Sequence, residues 1–395
     1  MDPRTSLPIV GMVGGGQLAR MTHQAAIALG QSLRVLAVGA DEPAPLVTPD
    51  VRLGSHTDLA ALRAFAAEVD VLTFDHEHVP TEHLRALVAD GVRVHPGPDA
   101  LVHAQDKLVM RRRLTEMNLP VPEFAAVEDA EALVAFGTEH GWPVMLKAAR
   151  GGYDGRGVWL VTDPAKAREL AGELLAAGTP LLVEQRVTMR RELAALVARS
   201  PFGQGAAWPV VETVQVDGIC VEVLAPAPGL DPALADEAQQ LALRVANELN
   251  VVGVLAVELF ETAEGLVVNE LAMRPHNSGH WTIDGARTSQ FEQHLRAVLD
   301  YPLGATDPLA PVTVMANVLG AETTPKMGVD ERLHHLFARF REARVHLYGK
   351  AERPGRKVGH VTVLGEDLAT ARRTATLAAN WLATARWADG YDIHG

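Results

Sequence analysis

"AVELFETAEGLVVNELA", residues 256–272, is a pair of apolar runs about Ala263-Glu264-Gly265, and it reads as a β-hairpin. With Glu264 at the centre of the turn, position 258 stands opposite position 270. Strand alternation then puts Glu258 and Glu270 on one face, beside Val254, Ala256 and Val268. Like charges opposed across a sheet repel, and more strongly when partly buried. A hard divalent cation reverses that sign, and Mg²⁺ takes one or two carboxylates together with substrate phosphates. Two glutamates splayed on a solvated face are the plainer alternative, which the apolar neighbours on both sides disfavour. A register slip of one residue would break the pair. The expectation is a sheet whose face carries a metal pair made by Glu258 and Glu270.

The chain continues as "NELAMRPHNSGHWT", residues 269–282, which crowds one carboxylate, one arginine, two histidines and two side-chain amides at the mouth of an apolar strand. A solvated loop needs no such assortment. Upstream, "KAARGGYDGRGV", residues 147–158, has four glycines in seven positions with an Asp and an Arg between them. Such a loop exposes amides that can close over phosphates, with Arg156 countering charge and Lys147 pointing in from the preceding strand. It lacks the Gly-Lys-Ser/Thr ending of a P-loop. A plain hairpin turn rarely needs that succession of residues, so a phosphate lid over 151–157 is the favoured reading. Glu184 ends the strand "LLVEQ" and Glu192 opens "ELAAL". Either can accept from a ribose hydroxyl or an adenine amine, and either alone is more often a surface acid.

Two further clusters stay open from the residues alone. Gly14, Gly15 and Gly16 lie between a first strand and a helix, where backbone amides meet anions. A structural turn competes there with a nicotinamide site that would use Asp41 or Glu42 on the ribose. The turn within "YGKAERPGRKVGHVTV" gathers Lys350, Arg353, Arg356 and Lys357. An anion site and a solvated turn fit it equally.

Around these motifs, the first hundred residues alternate short apolar strands ("PIVGMV", "LRVLAVG", "DVLTF", "VRVHPG") with helical segments, the pattern of a parallel sheet covered on both faces. After Asp106 a helix, an αβ segment, a run of strands from Leu181 to Val223 and the helix "PALADEAQQLALRVANELN" lead into the hairpin. A third segment begins near Pro311 and ends in a helical tail. The partition expected is 1–105, 106–310 with its lid at 151–157, and 311–395. The fold class is α/β and α+β: a Rossmann-like parallel-sheet domain, a larger mixed domain and a small C-terminal one.

Composition bounds the partners. The net charge of -13 argues against nucleic acid and acidic membrane surfaces, which reward basic patches. Cys220 is the sole cysteine, which excludes an intrachain disulfide and points to a reducing compartment. "MDPRTSLPIVGMVGGG" lacks the apolar core of a signal peptide, and no run reaches the roughly 18 apolar residues of a spanning helix. A cytoplasmic protein without membrane or nucleic-acid partners is expected.

Taken in order, "GGGQLARM", "HEHVP", "GGYDGRG", "VEQ", "RELAALVARS", "NELAMRPHNSGHWT", "SQFEQHLRA" and "RPGRKVGHVT" resemble the ATP-grasp family over nearly the whole chain. "HNSGHWT" and "GRKVGH" place the resemblance among its carboxylating carbon–nitrogen ligases of purine biosynthesis. The resemblance implies that ATP activates bicarbonate as carboxyphosphate, releasing ADP, and that the amine of 5-aminoimidazole ribonucleotide is carboxylated by carboxyphosphate or by CO₂ released from it, with phosphate as the other product. It implies ATP contacts from Lys107, Lys147, Gly152, Tyr153, Asp154, Gly155, Arg156, Gly157, Glu184, Gln185, Val187, Glu192, Gln215, Asn269 and Glu270. It gives Mg²⁺, two ions with ATP bound, to Glu258 and Glu270. Arg274 would hold bicarbonate and carboxyphosphate, with His276 and Asn277 in the same pocket and Asp154 assisting proton transfer. Gln17, Tyr153, Lys350, Arg356 and Lys357 would bind the ribonucleotide, the last three at its 5′-phosphate. A homodimer is implied as well.

Three positions depart from the family pattern. Lys107 stands where an arginine usually meets the nucleotide, keeping the charge without the bidentate fork. Met273 replaces the usual proline before Arg274, which loosens a turn expected to be rigid. "FDHEHVP" varies a more acidic and aromatic motif and leaves Glu77 and His78 without an assigned part. Rival readings are a formate-dependent glycinamide ribonucleotide transformylase, differing at "HNSGHWT", a nicotinamide-dependent oxidoreductase, and a non-catalytic nucleotide-binding subunit.

Overall fold

The computed structural model describes residues 1–152 and 157–392. Strands β1 (Ile9–Val13), β2 (Ser32–Ala37), β3 (Val51–Leu53) and β4 (Val71–Phe74) form a parallel sheet in the order β3-β2-β1-β4. Val10, Met12, Val35 and Val71 are fully buried between its helices, as a two-sided sheet requires. The expected closing strand at "VRVHPG" reduces to a single bridge between Leu72 and Val94.

β5 (Phe124–Val127), β6 (Val144–Ala148), β7 (Val158–Val161) and β8 (Leu181–Gln185) make a small antiparallel sheet in the order β5-β8-β6-β7. The third sheet is antiparallel and nine-stranded. It comprises β9 (Arg191–Arg199), β10 (Gly205–Ala207), β11 (Val211–Val216), β12 (Ile219–Ala225), β13 (Gly253–Glu261), β14 (Leu266–Ala272), β15 (Val312–Leu319), β16 (Arg344–Leu347) and β17 (Lys357–Gly365). Its order is β14-β13-β9-β11-β12-β15-β17-β16, with β10 on β9. The C-terminal strands thus extend the same sheet that carries the glutamate hairpin, through β12 and β15.

Aspartates start many of the helices. Asp58, Asp106, Asp129, Asp163, Asp231 and Asp367 each accept from backbone amides of the first turn they precede, satisfying donors that a helix leaves open. The cap that matters for the site is Asp106. Its Oδ1 accepts from Leu108 N at 3.0 Å and Val109 N at 3.1 Å, starting the helix Lys107–Glu116. Lys107 and Arg111 fall one turn apart on that helix and share a face. Among the described residues no helix is long and apolar enough to cross a membrane.

Candidate active site

A cavity of about 880 Å³ opens where the three sheets meet. Met145, Lys147 and Val158 line it from the small sheet, Glu192, Gln215 and Glu258 from the large one, and Asp75 to His78 from the end of β4. Ligands in parallel α/β sheets sit at that carboxyl end of the strands.

The glutamate hairpin forms one wall. Glu258 pairs with Glu270 as the spacing predicts, but by a different route. The turn is tighter than expected, closing as Thr262 N donates to Gly265 O at 2.8 Å. The next pairs are Glu261 with Leu266, Phe260 with Val267 and Leu259 with Val268. Continued without interruption, that register would set Asn269 opposite Glu258. A bulge between Glu258 and Leu259 absorbs one residue on the partner strand and restores the glutamate pair. Two consequences follow, the first a correction of the sequence reading. Val268 lies with Leu259 and Val257 in the other layer, not beside the glutamates. Asn269 turns toward them, its Nδ2 donating to Glu258 Oε2 at 3.3 Å. Burial, followed by the charges of Glu270 and Glu192, pushes the Glu258 carboxyl up to about 7.

A buried ion-pair chain stands beside this wall. Glu184 accepts from Arg111 Nε at 2.6 Å and meets Lys147 Nζ at 2.6 Å. Arg111 Nη2 donates to Asn269 O at 2.6 Å, and Lys147 Nζ to Asn269 Oδ1 at 3.4 Å. Burial acts to raise the Glu184 carboxyl, but Lys147 and Arg111 more than offset it and hold it below its ordinary value. Burial lowers Lys147 despite that partner. Glu184 is therefore an internal counter-ion as well as a residue of the cavity wall. Lys107 reaches Glu270 with its ammonium, the single-point contact expected of a lysine in place of an arginine fork.

Arg274 is held from the other side of the cavity by Glu77, 197 residues away in sequence. Glu77 Oε2 accepts from Arg274 Nε at 3.1 Å, and its Oε1 accepts from Met273 N at 2.7 Å. The expected loosening at Met273 is thus reversed. A proline there has no N–H, whereas the methionine amide is tied to the N-terminal domain. His276 places Nδ1 2.9 Å from Ser278 Oγ and Nε2 3.5 Å from Glu258 Oε1. Burial, with Arg274 and Lys357 nearby, depresses it to about 3 and keeps it neutral. Asn277 exchanges reciprocal amide bonds with Asn317, at 3.0 and 2.9 Å.

Gln17, Gly152, Gln185, Val187, Glu192, Gln215, Asn277 and Lys357 also line the cavity. Glu192 accepts from the Gln215 amide, while burial raises its carboxyl. Gly157 stands back from the walls, its carbonyl accepting from Ala148 N at 2.8 Å. Lys350 and Arg356 are not on the walls either. Lys350 Nζ lies 5.9 Å from the ring centre of Tyr348, a lining residue, and Arg356 Nη1 donates to Ala351 O at 3.3 Å. Tyr153, Asp154, Gly155 and Arg156 lie outside the described residues.

The nicotinamide reading loses its anion site. Asp75 Oδ2 accepts from Gly16 N at 2.7 Å and Oδ1 from Ala19 N at 2.8 Å, so a protein carboxylate fills the helix N-terminus. A Cβ on Gly16 would stand 2.2 Å from Asp75 Oδ2, and one on Gly15 2.2 Å from Glu42 Oε2. The triple glycine admits these two acids, which leaves no room for a pyrophosphate. Sequence reasoning missed Arg111, Glu77, Asp75 and Asn317 as supports of the site. The one local signal was the one-turn spacing of Arg111 from Lys107.

Comparison with known proteins bears on this geometry. Residues 112–291 match the ATP-grasp domain, residues 7–105 the ribonucleotide synthetase preATP-grasp domain, and residues 313–374 the phosphoribosylaminoimidazole carboxylase C-terminal domain. An N5-carboxyaminoimidazole ribonucleotide synthase of Mycobacterium tuberculosis is 69% identical over 388 residues, covering 98% of this chain and 90% of that one. The crystal structure of N5-carboxyaminoimidazole ribonucleotide synthetase from Thermus thermophilus superposes with a TM-score of 0.83 at 38% identity, over 95% of this chain and 99% of that one. The Aspergillus clavatus enzyme, solved with ADP and 5-aminoimidazole ribonucleotide, gives 0.85 at 31% identity, over 95% and 98%.

Proposed function

Because the chain belongs to the N5-carboxyaminoimidazole ribonucleotide synthase family of ATP-grasp enzymes, we propose that the cavity between its three sheets joins bicarbonate to 5-aminoimidazole ribonucleotide. The protein is an ATP-dependent ligase that carboxylates this ribonucleotide in purine biosynthesis. The observation that carries the reading of the site is the opposed pair Glu258 and Glu270, with Lys107 and Lys147 on one side and Arg274 on the other.

ATP enters between the small and large sheets. Lys147 and Lys107 meet its phosphates, Glu192 and Gln215 its ribose and base, and Gln185 and Val187 its edge. Gly152 and Gly157 flank the lid that carries Tyr153, Asp154, Gly155 and Arg156. Glu258 and Glu270 fit a divalent cation: both are hard oxygen donors, and burial beside a like charge raises Glu258 until a cation or a proton compensates it. Bound there with ATP, two Mg²⁺ ions supply neutralisation of charge on the β- and γ-phosphates. Asn269 and the Arg111–Glu184–Lys147 chain keep the pair in place from behind.

Bicarbonate sits at Arg274. Its oxygen attacks the γ-phosphorus, ADP leaves, and carboxyphosphate forms under the arginine. The amine of the ribonucleotide then forms the C–N bond as phosphate leaves, and Asp154 takes the proton. Exclusion of water protects the short-lived intermediate. Neutral His276 and Asn277 face the acceptor, while Gln17, Lys350, Arg356 and Lys357 grip the ribonucleotide. Lys350 and Arg356 reach it from the turn between β16 and β17 rather than from the cavity wall. A cytoplasmic homodimer completes the proposal, in line with the sole, buried cysteine.

The test is phosphate release from MgATP and bicarbonate, with and without the ribonucleotide. Strong stimulation with formation of the carbamate supports the reading. No stimulation in folded, ATP-binding protein would sink the ribonucleotide as the acceptor in this cavity and send the search to other amine or carboxylate acceptors.

A further inference from the structure

The stretch from Met273 to Trp281 carries Arg274, His276 and Asn277, yet its only regular structure is one short turn, Asn277–Gly279. Its shape has to come from elsewhere. Gln290 opens the helix Gln290–Val298 and is fully buried. Its Oε1 accepts from His276 N at 2.8 Å, and its Nε2 donates to His276 O at 2.8 Å. The same Nε2 lies 2.9 Å from His280 Nδ1. One side-chain amide thus spends its acceptor and both donors on the loop, pairing with His276 as a neighbouring strand would. A reversed amide would set N–H against N–H, so the orientation is determined. The backbone closes the same knot: Gln290 N donates to Thr282 Oγ1 at 2.9 Å, whose hydroxyl donates to Gly279 O at 2.6 Å. Gly279 leaves the space this needs, since a Cβ there would stand 2.4 Å from Gln290 Oε1.

We propose that Gln290 is a positioning residue for the acceptor half of the reaction, setting the His276 backbone so that Arg274, His276 and Asn277 face bicarbonate and the ribonucleotide. It makes no direct contact with the nucleotide side, which it meets only through His276 beside Glu258. The groups proposed to hold ATP are fixed by other partners, namely Arg111 and Glu184 for Lys147 and Gln215 for Glu192. The inference rests on the functional reading given above. No signal in the "SQFEQHLRA" stretch distinguishes this residue from the other buried amide, Gln293, whose side chain pairs in the same way with Gly304.

Two variants approach the clamp from opposite sides. Gln290→Met keeps the length and removes all three bonds; Gly279→Ala keeps the amide and fills its seat. Each is compared with wild type for ATP affinity, for the KM of bicarbonate and ribonucleotide, and for kcat. The expected result in both is an ATP affinity within about twofold of wild type, with kcat down about 100-fold or the acceptor-side KM raised comparably. Wild-type values for kcat and both KM in either variant would overturn the proposal. So would a parallel loss of ATP affinity, including an unfolded variant, because Gln290 would then be holding the fold rather than the loop. Should wild type itself show no ribonucleotide-stimulated turnover, the functional reading fails first and takes the inference with it.

Discussion

At the scale of single residues, the cavity is governed by charges that are each matched to one or two partners. Glu270 meets Lys107, and Glu258 meets neutral groups, Asn269 and His276. Removing Glu270 takes away a proposed metal donor and frees Lys107 at once. Glu270→Ala is expected to lower ribonucleotide-dependent phosphate release by about 100-fold or more, the scale of a lost electrostatic partner at a reacting phosphoryl group. A mere nucleotide-binding subunit would tolerate the change, so turnover within a few-fold of wild type would overturn the metal assignment. Arg111 tests the other kind of residue, one that touches no ligand. It is fully buried, and its partners Glu184 and Asn269 O lose a charged donor with it. Arg111→Met leaves Glu184 with Lys147 alone, at a cost of about 3–5 kcal/mol in urea unfolding. A loss near zero would mean that Lys147 suffices as counter-ion.

At the scale of elements, small irregularities decide which side chains reach the cavity. The helix Gln17–Ala28 begins without a side-chain cap of its own, and Asp75 supplies one from the end of β4. Asp75→Ala therefore uncaps a helix from outside it, and about 1–2 kcal/mol of stability should go in thermal or urea unfolding. Asp75→Asn keeps one acceptor oxygen and sets its NH2 against the other donor, so it should recover half of the loss at most. Full recovery in Asn would show that one of the two bonds contributes nothing. These elements also mark how far the sequence is legible. The glutamate pairing was readable because hairpin geometry is local. The bulge was not, because the turn 262–265 and the bulge shift the register by one residue in opposite senses, and only their sum shows in the spacing. The face of Asn269 and the layer of Val268 depend on the separate terms. Glu77 with Arg274, Asp75 with Gly16 and Arg111 with Glu184 are bonds across 197, 59 and 73 residues. Nothing within a window of the chain announces partners so distant. The triple glycine illustrates the cost: its small residues read as room for a ligand, and the structure fills that room with Asp75 and Glu42.

Across the whole molecule, the parallel sheet and the large antiparallel sheet are joined by a histidine. Val254 N, on β13, donates to His294 Nδ1 at 3.1 Å, so the ring proton is on Nε2, which lies 2.7 Å from Thr73 Oγ1 on β4 and donates to it. Gly253 keeps the approach close, since a Cβ there would meet the ring at 2.7 Å. Burial depresses His294 to about 3. His280 and His360, stacked 5.2 Å apart, are also buried and held well below their ordinary value. All three stay neutral in the folded protein over a pH range where the unfolded chain takes up protons. The sign follows from that difference. Above the ordinary value of 6.5 both states are neutral at these sites, and stability does not depend on them. As pH falls below 6.5 the unfolded state binds protons the folded state refuses, and each histidine removes about 1.4 kcal/mol per pH unit. Glu258, raised to about 7, runs against this trend between pH 7 and its ordinary 4.5 and offsets about one histidine, while the depressed carboxyl of Glu184 adds to it only below 4.5. Urea midpoints should therefore be level between pH 8 and pH 7 and drop steeply from about pH 6 to pH 5. His76 and His276, also depressed to about 3, share the trend, so in His294→Gln, whose amide can keep a bond to β4 without titrating, the drop should be shallower by about a fifth at most. A midpoint constant down to pH 5 would mean that these rings accept protons within the fold, and the sheets would then be joined by a charged residue rather than a neutral one.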